Sequence, residues 1–195
     1  GRQASLYEEF EDIAPTIHMA VDTQDYMASF KNNVTLLGEI FGKQEEVAEE
    51  LEAVETTVQE IQELAEANEV KGLVVLTTGG KVSAYGAGSR FGIVHDEFGI
   101  APVDETIEVS THGMSISFEY ILQKNPEYLF VIDRDAVVEG GSESAKNVIE
   151  NDLVKNTDAY KNGNIVYLDP NYWYLSGGGL VSVSEMANEI KAGLE

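Results

Sequence analysis

Residues 44–67 read QEEVAEELEAVETTVQEIQELAEA and residues 72–85 read GLVVLTTGGKVSAY, and the change of period between them decides the fold. In the first stretch Val47, Leu51, Val54, Val58, Ile61 and Ala65 recur at alternating spacings of four and three, the repeat of one helix face. The other positions are mostly Glu and read as a solvated face. A helix of this length runs about 36 Å at roughly 1.5 Å per residue, enough to span a small domain or to join two. In the second stretch, residues 72–77 and 81–85 read as two strands of a hairpin turned by Gly79-Gly80.

Further strands are expected at 104–109, 128–132 and 164–168, and helices near 91–98, 115–124, 143–152 and 183–193. Strands alternating with helices predict an α/β fold, a mostly parallel sheet covered by helices. Upstream, residues 5–12 read as a short helix with Ser5 as N-cap, and 14–21 as a strand. A helix then opens at Asp22 or Thr23 and runs to Phe41, stopped by Gly42. One strand and two helices cannot bury a core alone. The leading piece must therefore pack on the α/β unit or on a partner half. This reading divides the chain into 1–43, a connecting helix at 44–68 and an α/β lobe at 69–195.

The chain has 195 residues, 43% of them hydrophobic, with a formal net charge of −23. Such acidity argues against nucleic acid and anionic membrane surfaces as partners, and no basic stripe offsets it. Any anionic ligand would need a local cluster of positive charge. There is no Cys, which excludes disulfides, thiolate metal sites and cysteine nucleophiles. No apolar run reaches transmembrane length.

Against that background the only three arginines, Arg2, Arg90 and Arg134, draw attention, because the other basic residues are all Lys. Arg90 lies in Gly86-Ala-Gly-Ser-Arg-Phe-Gly, between a strand and a helix, where free backbone N–H groups and the helix dipole favour an anion. Arg134 follows Tyr128-Leu-Phe-Val-Ile-Asp, at the carboxyl end of a strand, where open α/β sheets bind ligands. Arg2 precedes the first helix. Each taken alone reads first as a surface ion pair; together their planar donor forks suit oxygen anions.

His112, in Ser110-Thr-His-Gly-Met, reads as a ligand contact, a metal ligand or a hydrogen-bonded loop histidine, with Ser115 as a candidate cap for the next helix. His95 and His18 read as structural. Tyr172-Trp173-Tyr174 reads either as an aromatic wall for a ligand or as packing for the last helix, with Trp173 in the core and Tyr174 as the contact. Enzyme signatures are missing. The glycines after Tyr85 miss the dinucleotide spacing, and Gly113-Met-Ser-Ile-Ser lacks the closing Gly of a nucleophile elbow. There is no Walker loop or His-Glu-x-x-His helix, and no nucleophile–base pair can be assembled.

Taken as a set, Gly1-Arg-Gln, Ala84-Tyr-Gly-Ala-Gly-Ser-Arg-Phe-Gly, Ser110-Thr-His-Gly, Tyr128-Leu-Phe-Val-Ile-Asp-Arg and Trp173-Tyr-Leu-Ser-Gly-Gly-Gly resemble the catecholate-siderophore-binding lipoproteins of iron ABC importers. The likeness is to the petrobactin- and enterobactin-binding type and runs from end to end of the chain. That resemblance implies two α/β lobes joined by one long helix, with the ligand between them. It implies that residues 1–43 are the remnant of an N-terminal lobe, most of which would precede Gly1 together with a lipidated Cys. It further implies that Arg2, Arg90 and Arg134 contact catecholate oxygens around Fe(III), and that His112 and Tyr174, or its neighbour Tyr172, can ligate the iron. The implied ligand is an Fe(III)-siderophore with no intrinsic cofactor, and the implied partner is an ABC permease. The implied location is extracytoplasmic, periplasmic or lipid-anchored, and no catalysis is expected. Two other readings remain: the same fold holding a different iron chelate, haem or corrinoid, and an interaction protein in which the 44–67 helix pairs with another chain, for instance as a dimer.

Overall fold

A computed structural model describes residues 2–138 and 144–195, Arg2 by its backbone alone. Eight helices are present among these residues: α1 (Tyr7–Glu11), α2 (Tyr26–Phe41), α3 (Gln44–Ala67), α4 (Ile93–Asp96), α5 (Phe118–Lys124), α6 (Ala145–Ile149), α7 (Asp158–Asn162) and α8 (Leu180–Leu194). Six strands accompany them: β1 (Lys71–Thr78), β2 (Lys81–Tyr85), β3 (Ala101–Pro102), β4 (Met114–Ile116), β5 (Tyr128–Asp133) and β6 (Ile165–Leu168). No helix is long and apolar enough to cross a membrane among the described residues.

The strands form one mixed sheet in the order β4-β2-β1-β5-β6, with β3 alongside the start of β1. β1 is parallel to β3 and β5, and β5 to β6; β2 is antiparallel to β1 and β4. The β1–β2 hairpin turns at Gly79-Gly80, whose φ values of 55° and 72° suit a two-residue loop matched to strand twist.

Residues of β1 alternate between two cores. Val74 and Leu76 join Phe130, Ile132 and Leu168 under α2, α3 and α8. Leu73 and Val75 join Leu129 and Val131 under Ile107, Ile121, Ile149 and Val154. Burial on both faces explains why β1 reads as an unbroken apolar run. α3 buries Val54, Val58, Ile61 and Ala65, its expected stripe, against α8 residues Val183, Met186 and Ile190. At about 25 cal/mol per Å2 of apolar area, each fully buried side chain of this size contributes about 1.5–3 kcal/mol. A Lys191–Glu60 pair at 2.9 Å bridges the two helices at the surface.

Four local expectations fail. Residues 14–21 are not a strand but an unpaired segment with Ile17 and His18 exposed. Among the described residues their alternating pattern finds no neighbouring strand to take its backbone hydrogen bonds. Residues 104–109 are not a strand either. Asp104 accepts the backbone N–H and the hydroxyl of Thr106 at 2.9 and 2.7 Å, and this local turn displaces a ladder. The third concerns the start of α5. Met114–Ile116 form β4 on β2, and the cap is Ser117, which accepts from Tyr120 N, rather than Ser115. At the other end, Ser5 lies inside a 3-10 turn (Arg2–Leu6) instead of capping a helix.

Candidate ligand-binding site

The loop between β2 and α4 is held largely by its own backbone. Ser89 is buried and donates its hydroxyl to Gly86 O at 2.5 Å. Gly88 N–H is bound by the Asp96 carboxylate at 2.6 Å, and Gly92 N–H by Ser89 O. Two parts of the expected anion site are thereby corrected. The helix that follows is the single turn Ile93–Asp96, too short for an appreciable dipole, and an internal carboxylate already occupies the Gly88 donor. What the loop presents is the Arg90 guanidinium itself.

That guanidinium lies 4.3 Å from the Tyr174 ring centroid and 5.2 Å from that of Phe91, and Nη2 donates to Tyr174 O at 2.6 Å. Arg134 approaches the same ring from another strand end. Its backbone N–H extends the β1–β5 pairing to Thr77 O. Its Nε donates to Tyr174 Oη at 2.8 Å, and Nη1 donates to Thr78 Oγ1 at 2.9 Å. The guanidinium carbon is 5.7 Å from the Tyr174 ring. Two cations therefore meet on one phenol. The Arg134 hydrogen bond, reinforced by both positive charges, holds the Tyr174 hydroxyl below the ordinary tyrosine range. Arg134 is in turn pushed above its ordinary value by the same bond.

Residues Asn171–Leu175 make one wide helical turn, started by Asp169, whose carbonyl accepts from Tyr172 N and Trp173 N. This turn separates neighbouring aromatics. Trp173 enters the core and donates its indole N–H to Glu189 at 2.7 Å. Burial raises the Glu189 carboxyl above its ordinary value, which the indole bond partly offsets. Tyr174 is left half-buried with the arginines. Tyr172 is also half-buried, packed on the core under α2, α3 and α8.

His112 is exposed on the turn before β4, its N–H accepted by Ser110 Oγ at 3.1 Å. The next residue, Gly113, comes so near the buried Tyr85 ring that a Cβ there would lie 2.7 Å from Tyr85 Cζ. Tyr85 packs edge-on against Phe91 at 4.6 Å and feels the charges of Arg90 and Tyr174. The Arg2 side chain lies outside the described residues. His95 is buried with Nδ1 against Ile100 O at 2.8 Å. No group of three or more His, Asp or Glu able to hold a metal is found among the described residues.

Sequence reasoning missed Thr78 and Asp135, which brace Arg134, and the buried Tyr85–Phe91 pair, whose Phe91 ring lies against the Arg90 guanidinium. Asp135 could have been suspected from its place beside Arg134; nothing local marks Thr78. A hollow of about 820 Å3 lined by Met19, Val21, Asn33, Leu37, Phe41 and Lys43 is of mixed polarity and contains none of Arg90, Arg134 and Tyr174.

Residues 2–172 match the periplasmic binding protein family, and the chain belongs to that family of binding proteins. It is 50% identical over its whole length to the petrobactin-binding protein YclQ of Bacillus subtilis, and spans 61% of that protein. It is 35% identical over 98% of its length to the ferric-anguibactin-binding protein FatB of Vibrio anguillarum, again spanning 61%. The crystal structure of YclQ superposes with a TM-score of 0.95 at 49% identity, covering 100% of this chain and 68% of the other. The periplasmic catecholate-siderophore binding protein VctP of Vibrio cholerae superposes with a TM-score of 0.92 at 38% identity, covering 98% and 69%. The chain spans about three fifths of the length of the curated relatives it matches.

Proposed function

We propose that this chain is the larger part of the substrate-binding component of an ABC importer, which captures a ferric catecholate siderophore and delivers it to a membrane permease. The observation that carries the reading is the convergence of Arg90 and Arg134 on Tyr174. It concentrates positive charge at one spot of a protein whose net charge is −23. A ferric tris-catecholate is triply negative, and charge-assisted hydrogen bonds to its oxygens are stronger than neutral ones. The relatives named for petrobactin, ferric anguibactin and catecholate siderophores support the same ligand class.

In this proposal Arg90, Arg134 and Arg2 bind the catecholate oxygens, and the iron arrives as cargo. His112 and Tyr174 supply an imidazole and a phenolate when the siderophore leaves iron positions open, with Tyr172 as the adjacent phenol. Fe(III) is a hard cation that accepts such donors. The lowered Tyr174 hydroxyl favours that role, because less free energy is needed to deprotonate it. No bond of the ligand is made or broken by the protein, so the activity is binding without catalysis. Residues 1–43 belong to a first lobe, 44–68 connect, and 69–195 form the second lobe. The location is extracytoplasmic, periplasmic or by a lipid anchor on the outer face of the cell membrane.

Quenching of tryptophan fluorescence by ferric catecholate in the full-length protein tests the reading. Arg90→Ala and Arg134→Ala are each expected to weaken binding about 10- to 100-fold, the worth of a hydrogen bond to a charged group. Unchanged affinity in the double variant rejects the clamp. A ferric bis-catecholate has its own catecholate-to-iron charge-transfer band, which ligation by the protein is expected to shift. A shift that survives His112→Ala with Tyr174→Phe rejects direct ligation.

A further inference from the structure

We infer that Thr78 and Asp135 are positioning residues for Arg134: the Asp135 carboxylate polarises the Thr78 hydroxyl so that its lone pairs face Arg134 and fix which guanidinium edge meets the ligand. The inference rests on the proposed anion-binding role of Arg134.

The argument is one of donors and acceptors. An ionised carboxylate only accepts. Asp135 Oδ2 is taken by Gly79 N–H at 2.5 Å, and Oδ1 receives the Thr78 hydroxyl at 3.1 Å. The single Thr78 proton is thereby committed to Asp135. Only lone pairs remain for Arg134, whose Nη1 donates to Thr78 Oγ1 at 2.9 Å. Direct contact between Arg134 Nη1 and Asp135 is long, at 3.9 Å, so the hydroxyl carries the connection. Of the five guanidinium donors, Nε is spent on Tyr174 and one Nη1 hydrogen on Thr78, which leaves both Nη2 hydrogens and the second Nη1 hydrogen for a ligand.

The brace is itself anchored. Thr78 ends β1 and Asp135 follows β5, and these two strands pair from Gly72–Tyr128 to Thr77–Asp133. Asp133 accepts backbone N–H groups of Asp135, Ala136 and Ala145, which holds the Arg134–Asp135 turn from below. The bond from Asp135 to Gly79 ties the same unit to the β1–β2 turn. The long Arg134 side chain, which would otherwise sample many rotamers, is thus held in one geometry before a ligand arrives, which lowers the ordering cost of binding.

The test uses two readouts on the full-length protein carrying 15N-labelled arginine. One is the set of guanidinium Nη resonances of Arg134, assigned with Arg134→Ala, which are resolved while the group is held and collapse when it rotates freely; the other is ferric catecholate quenching. Arg134→Ala sets the reference for losing the guanidinium. Thr78→Val is expected to collapse the Nη resonances and to weaken binding about tenfold, as loss of one charge-assisted contact does. Thr78→Ser, which keeps the hydroxyl, is expected to restore both. Asp135→Asn is expected to act like Thr78→Val, because the carboxylate receives Gly79 N–H and the Thr78 hydroxyl on different oxygens and the amide replaces one of them with a donor. If Thr78→Val fails to fold, Asp135→Asn carries the same two readouts. Nη resonances that stay resolved in Thr78→Val or Asp135→Asn overturn the inference, even if thermal stability falls. If Arg134→Ala leaves the affinity unchanged, the ligand reading fails, and the Nη resonances alone decide the positioning role.

Discussion

Gly113→Ala perturbs the seam between the His112 turn and the buried Tyr85–Phe91 pair. Gly113 has φ of 73°, and a Cβ there would lie 2.7 Å from Tyr85 Cζ, 2.8 Å from Tyr85 Cε2 and 2.9 Å from Ala84 O. Neither neighbour yields readily. Tyr85 is 2% exposed and packed edge-on against Phe91, and Ala84 is registered with Met114 across β2 and β4. Two costs add. A left-handed backbone costs an L-residue about 1–2 kcal/mol. Forcing a methyl into filled space costs about 1–3 kcal/mol. The expected loss is therefore about 2–5 kcal/mol. Gly80→Ala isolates the first cost, because Gly80 has φ of 72° but nothing within 4 Å of its added Cβ. Urea unfolding followed by Trp173 fluorescence gives both values, with the slope checked for constancy. Gly113→Ala should exceed Gly80→Ala by about 1–3 kcal/mol. Equal losses would refute the reasoning, since they would mean that Tyr85 and β2 move aside freely.

Two further outcomes can be measured in the same way. Ile61 is fully buried between α3 and the sheet, so Ile61→Ala should cost about 2–5 kcal/mol; a loss below about 1 kcal/mol would show that α3 is not part of that core. Burial lowers the His95 pKa below its ordinary 6.5, and its hydrogen bonds to backbone only partly offset this. The folded state then binds fewer protons than the unfolded state below that pH. The His95 contribution is complete above pH 6.5 and declines as pH falls below it, so unfolding free energy should drop between pH 7.5 and 5.5, with a smaller drop in His95→Gln.

α3 was legible to the residue, because its signal is local: a stripe spaced for one helix face needs no knowledge of what it packs on. β1, β2, β5 and β6 were legible for a related reason, as short β-branched runs bounded by turns. The segment 14–21 has the composition of a strand and is not one, since strand formation depends on a neighbour that no local pattern reports. Residues 104–109 failed through side-chain competition at Asp104, and 114–116 were hidden in the start of a helical run. The short elements Val154–Asn156 and α7 were not anticipated, being held by tertiary packing of Val154 and Ala159.

The sequence by itself determined the α/β class, the long acidic helix and the rarity of arginine, because period and residue type are properties of the chain alone. Only the tertiary structure decided that Arg90 and Arg134 share Tyr174, which is 84 and 40 residues away from them. It also decided that Trp173 turns inward while Tyr174 turns to the arginines, and that the Gly88 N–H belongs to Asp96 rather than to a ligand. Those outcomes depend on where distant strand ends come to lie, and on which buried donors and acceptors are left to satisfy once they do.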